Sequence, residues 1–189
     1  MNFVNITNGQ IVISGFEANP AGTDSPYEYV QLKATQAIDF SVTNYSVVFA
    51  NNGTATSNGW IAGGSLTYGF NLTSGTVAAG DVFYVGGSGK LINGAGSTDI
   101  SGATWIRWIN TGNTPGDGFG NAATSGVMGN GTANADGIAV FAGLTSSLAT
   151  TSVPVDAVFY GTAVGTAKPA TGGYTMPDND YYSTSQGTY

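Results

Sequence analysis

Two short runs of alternating residues, Ile11 to Phe16 and Tyr27 to Leu32, are separated by a loop that cannot continue either of them. In the first run Ile11, Ile13 and Gly15 alternate with Val12, Ser14 and Phe16. In the second, Tyr27, Tyr29 and Gln31 alternate with Glu28, Val30 and Leu32, the two-residue period of a β-strand. Pro20 and Pro26 fix φ and remove ladder donors, so the joining segment is not strand throughout. A strand–loop–strand unit commits the chain to a sheet. No 3.6-residue apolar period follows it, so almost no helix is expected.

Composition narrows the class. The 189 residues suit one domain with a real core, and 41% of them are hydrophobic, in strand-length runs. Thirty glycines and only 8% charged residues point to an all-β protein with many turns. There is no cysteine and no histidine, which removes disulfides, thiolate metal sites, the commonest general base and the commonest zinc ligand. Eleven acids face four bases (Lys33, Lys90, Arg107 and Lys168), and the net charge of −7 disfavours nucleic acid and anionic membrane as partners. No apolar run is long enough for a membrane span. The start, M-N-F-V-N-I-T-N, shows no secretory signal, yet the low-charge, Thr/Asn/Gly-rich composition leads us to expect a mature extracellular or cell-surface domain.

Along the chain, residues 1–9 read as an N-terminal extension or first strand with Phe3, Val4 and Ile6 as its apolar teeth. Ala37 to Ala50 alternates, breaks phase at Thr43-Asn44 and resumes, which predicts a bulge or a corner between sheets. Short strands follow at Trp60-Ile61, Ser65 to Leu72 and Val82 to Val85. Residues 86–136 form a long Gly/Asn-rich insertion, expected to carry a hairpin of its own around Trp105-Ile106-Arg107-Trp108-Ile109. Ile138 to Gly143 and Val153 to Tyr160 read as a closing hairpin, and 163–189 as a polar, tyrosine-rich tail. The core is expected to include Ile11, Ile13, Val30, Leu32, Phe40, Val47, Phe49, Phe70, Val85, Val140 and Phe159.

Three groups of residues carry possible chemistry. Glu17, Asp24 and Glu28 crowd the first loop and could offer oxygens to Ca²⁺; the structural alternative is that Asp24 caps the loop through its backbone amides and Glu28 pairs with Lys33 or Arg107. Trp105, Arg107 and Trp108 could stack on a sugar or anchor an interface. Two tryptophans three residues apart point to opposite faces of a flat strand, so a shared platform needs a bulge or turn. Phe3, Val4, Ile6, Tyr181 and Tyr182 suit contacts with another copy of the chain, since the terminal segments 2–10 and 174–189 hold none of the basic residues that commonly guard strand edges. A histidine triad is impossible, and carboxylate hydrolysis remains only a formal option. The Asn-x-Ser/Thr triplets at Asn5, Asn44, Asn52, Asn71 and Asn130 matter only in a glycosylating host.

The run I-V-I-S-G-F-E-A-N-P-A-G-T-D-S-P-Y-E-Y-V-Q-L resembles the opening signature of prokaryotic lamin-tail-like domains, with Gln31 where that family usually has a second glutamate. V-A-A-G-D-V-F-Y-V resembles a later strand of the family, and A-D-G-I-A-V-F-A-G with V-P-V-D-A-V-F-Y-G its final hairpin. The resemblance spans residues 10–162 apart from the insertion. It implies a two-sheet antiparallel immunoglobulin-like sandwich in a secreted, non-catalytic protein. Combined with the residue-level reading, the expectation is a self-assembling structural subunit of a surface fibre, sheath or layer. The alternative is an accessory module that binds glycans or a cell surface.

Overall fold

The computed structural model describes residues 10–50, 60, 67–109, 128–129, 136–149, 152–160, 170–171 and 174–175. Its elements in chain order are β1 (Ile11–Glu17), a single helical turn α1 (Asp24–Tyr27), β2 (Tyr29–Ala34), β3 (Ile38–Asp39), β4 (Tyr45–Ala50), β5 (Thr67–Leu72), β6 (Thr76–Val77), β7 (Val82–Gly87), β8 (Trp105–Ile109), β9 (Asp136–Ala142), β10 (Asp156–Tyr160), β11 (Ala170–Thr171) and β12 (Tyr174–Thr175). The protein is mostly β.

Two four-stranded sheets dominate, one ordered β1-β2-β7-β8 and the other β10-β9-β4-β5. The short pairs β3-β6 and β11-β12 form separate two-stranded sheets. Because side chains alternate across a strand, each sheet sends one row inward. Ile11, Phe16, Val30, Leu32, Phe83 and Val85 from the first sheet meet Tyr45, Val47, Phe49, Phe70, Leu72, Ile138 and Val140 from the second in one buried cluster. Burying each such side chain contributes about 1.5–3 kcal/mol. Of the expected core residues, Ile13 alone is not fully buried; it packs against the cluster from the rim.

The second sheet is buried on both faces. Val48, Ala50, Ala139, Phe141 and Phe159 point away from the main cluster and pack with Trp60 into a second one. That explains the unbroken apolar character of Y-S-V-V-F-A in β4, where a half-exposed strand would have alternated.

The antiparallel hairpin β1-β2 pairs Ile11 with Ala34 and Glu17 with Tyr29, with a register shift between Ile13 and Gly15. The β9-β10 hairpin likewise pairs as the sequence suggested. The phase break at Thr43-Asn44 is a corner: β3 pairs with β6 ahead of it, and β4 enters the second sheet after it.

Two expectations are corrected. Among the described residues Trp105–Ile109 pairs not with a hairpin partner of its own but with β7, as strand β8 at the end of the first sheet. Moreover β8 runs parallel to β7, so the architecture is not purely antiparallel. The physical reason is the connection. A parallel neighbour needs a crossover of about a dozen residues or more, and the glycine-rich segment between Gly87 and Trp105 supplies one.

Candidate functional site

The acidic loop folds back over β7 and is stitched to the crossover. Gly87 donates its N–H to the Glu28 carbonyl at 2.8 Å, Gly89 to Pro26 at 3.0 Å, and Ala95 to Ala21 at 2.7 Å. Ala21 in turn donates to Asn93 at 3.2 Å. Glu17 and Glu28 are buried, whereas Asp24 is partly exposed at the start of α1. Among the described residues no group of three or more acidic side chains is arranged to hold a metal ion, so Glu17, Asp24 and Glu28 do not converge as a Ca²⁺ site there. The reason is that the two glutamates are taken into separate structural tasks. Glu17 Oε1 accepts the Asn19 amide at 3.0 Å, and Glu28 Oε2 accepts the Met128 amide at 3.0 Å.

Around Glu28 lies a buried polar cluster with Asp136 and Tyr160. Burial first, then the charges of Asp136 and Glu28, push the Tyr160 phenol well above its ordinary pKa, with the Gly129 amide opposing them. Tyr68 is raised too, by burial and then by Glu28. Of these buried groups, Glu28 fastens the Met128 amide to the start of β2. Asp136 and Tyr160 fall within the two runs that resemble the family's final hairpin, but neither they nor Met128 were given a role from the sequence.

On the outer face of the first sheet stands an aromatic row. Tyr84 stacks on Trp105 with ring centres 5.1 Å apart, and Tyr29 meets both edge-on at 5.6 and 5.9 Å. The Trp105 indole N–H donates to the Ile100 carbonyl at 3.0 Å, and the Tyr29 hydroxyl to that of Ile92 at 2.8 Å. Burial chiefly, with help from Glu17 and then Tyr84, pushes the Tyr29 phenol up to about 12. Gln31 donates to the Tyr84 hydroxyl at 2.8 Å and accepts from Ser14 at 3.0 Å.

The bulge that the tryptophan pair required is present. Tyr84 pairs with Trp105 but Val85 pairs with Arg107, leaving Ile106 as an additional residue in β8. Trp105 and Trp108 therefore share one face. Arg107 follows Val85 to the other, with its Nε buried, and so leaves the tryptophan site. Trp105 is 8% exposed and forms the floor; Trp108 is 49% exposed at the rim. Lys90, which sequence reading passed over, lies with its ammonium 3.7 Å from the centre of the Trp108 ring and 5.3 Å from that of Trp105. The available signal was a lone base in the turn G-S-G-K-L.

A second surface feature lies at the opposite edge. There β1 and β10, each the outer strand of its sheet, flank a groove of about 450 Å³ lined by Ile13 to Phe16 and Asp156 to Val158. Asp156 clips the two strands together: its Oδ2 accepts the Ile13 amide at 2.7 Å.

Phe3, Val4, Ile6, Tyr181 and Tyr182 lie outside the described residues. Among those described, no helix is long and apolar enough to cross a membrane. No protein-family model matches the chain, and no curated protein is similar enough to count as a match.

Proposed function

We propose that this chain is a non-catalytic structural subunit of an extracellular assembly, an immunoglobulin-like sandwich of the lamin-tail-like kind that joins copies of itself by strand addition. The observation that carries this reading is the groove between β1 and β10. An edge strand offers a row of backbone donors and acceptors, and an extended segment laid along it gains main-chain hydrogen bonds while alternate side chains enter the groove. Ile13, Phe16 and Val158 give that groove an apolar lining. The segment M-N-F-V-N-I-T-N-G, with Phe3, Val4 and Ile6, has the strand-like alternation and apolar content to fill it from a neighbouring copy. Asp156 sets the register by occupying the Ile13 amide, so an incoming strand pairs beyond that point.

Two variants test this. Ser14 is exposed and lines the groove, so Ser14→Lys places a lysine of the kind that blocks edge pairing without disturbing the core. Deleting residues 1–8 removes the donor. In sedimentation velocity and negative stain the intact chain is expected to form high-mass ordered species, and both variants to remain folded monomers. An intact chain that stays monomeric at high concentration across salt and pH overturns the proposal.

A further inference from the structure

We propose that Lys90 and Trp108 form a binding site for an anionic sugar, a pyranose that carries a carboxylate, on the outer face of the first sheet. Three separate features meet there. Lys90 has φ of 50°, and among the described residues it is the one side-chain-bearing residue with positive φ. Glycine or asparagine takes that conformation readily, whereas lysine is held in it only when its surroundings favour it. The outcome is an ammonium set over two indoles.

The second feature is the bulge at Ile106, which turns Trp105 and Trp108 to the same side as Lys90. The third is the contrast in exposure: Trp105 is buried beneath Tyr29 and Tyr84, while half of Trp108 faces solvent. A cation on this face attracts anions to a chain whose net charge is −7, with only four basic residues.

The chemistry follows from the pair. An indole face takes the C–H face of a pyranose ring, and the ammonium takes a carboxylate in a charge-assisted hydrogen bond. A solvent-facing cation–π contact is weak, so a carboxylate draws the lysine off the ring and uncovers it for the sugar. A carboxylate without a ring gains only the charge contact, and a neutral sugar only the stacking. This site is independent of strand addition at the β1/β10 edge.

The test uses the full chain and three polymers: polygalacturonate, neutral dextran and polyglutamate. Trp60 and Trp105 are buried at 2% and 8% exposure, so fluorescence quenched by acrylamide reports on Trp108. Polygalacturonate is expected to protect Trp108 from quenching, and the other two polymers are not at the same concentration. Lys90→Asn keeps a residue that tolerates positive φ and removes the charge. It is expected to weaken polygalacturonate binding about tenfold or more, the loss of a charged hydrogen bond, with an unchanged or raised melting temperature. Trp108→Ala is expected to abolish retardation in a polygalacturonate gel. Absence of protection by polygalacturonate, equal protection by polyglutamate or dextran, or unaltered binding by Lys90→Asn overturns the proposal. The quenching series on the unaltered chain decides the matter even if a variant folds poorly.

Discussion

A β-carbon on Gly87 would land on the carbonyl group of Pro26. The neighbouring position is equally closed, since a β-carbon on Gly86 would meet the Glu28 carbonyl and Tyr29. The acidic loop therefore lies directly on the end of β7, and it does so because two consecutive residues there lack side chains. Gly87→Ala is expected to lower stability by about 1–3 kcal/mol, the usual cost of overpacking a closed site. Gly102 has nothing near its hypothetical β-carbon, so Gly102→Ala should stay within about 0.5 kcal/mol of the parent. Chemical denaturation of the two variants side by side makes the comparison; equal midpoints would show that the loop yields freely.

Glu28 holds the Met128 amide from a buried position. Glu28→Ala leaves that donor without its acceptor and is expected to cost about 2–4 kcal/mol. Glu28→Gln keeps an acceptor of the same shape and should cost less. Urea unfolding curves of both variants check the order. If Gln proves worse than Ala, charge and not the hydrogen bond governs this site.

Tyr29 gives the protein an alkaline limit. Its phenol is raised to about 12 from an ordinary 10.0. Below pH 10 it is protonated both folded and unfolded, and its contribution is complete. Between about 10 and about 12 the unfolded chain has already released the proton while the folded one retains it, so stability falls as pH rises. Allowing for water near the hydroxyl, the loss is about 1–2 kcal/mol. Tyr160, raised in the same direction, steepens it. Across that range the melting temperature should fall as pH rises while phenolate absorbance grows on unfolding; a flat profile would refute the assignment.

Chelation is expected to leave the melting temperature unchanged, because Glu17 and Glu28 already accept backbone amides. A drop in EDTA that calcium reverses would mean that a cation bound by the folded state stabilises it.

The strands were legible in the sequence wherever one face is wet. Ile11 to Phe16 and Tyr27 to Leu32 alternate because one sheet face meets solvent or loops; the first appears where the period placed it, while the second begins two residues later, at Tyr29, because Tyr27 belongs to the turn α1. The corner at Thr43-Asn44 was legible as a lost phase. What pattern could not supply is pairing between distant segments. Trp105 to Ile109 reads as a strand on its own, but its parallel alignment with β7 depends on a crossover with no periodic signature. The bulge at Ile106 was foreseeable only as a geometric condition on the two tryptophans. Lys90 was invisible for a related reason: a turn lysine acquires meaning only once the chain has brought indoles beneath it.

The pairing of β4 with β9 joins Ala50 to Gly137 and Tyr45 to Ala142. A ribosome adding about 5–20 residues per second needs several seconds to make the intervening chain. Through that interval β4 can zip to β5, yet its other edge waits, apolar on both faces and without a single charge in Tyr45–Ala50. Such an edge pairs with whatever extended backbone is near, including that of a sister chain on the same message. The strand that ends at the centre of the second sheet is thus the one most at risk during synthesis. Yield in a cell should depend on how quickly β9 arrives, or on a chaperone that shields β4 until it does.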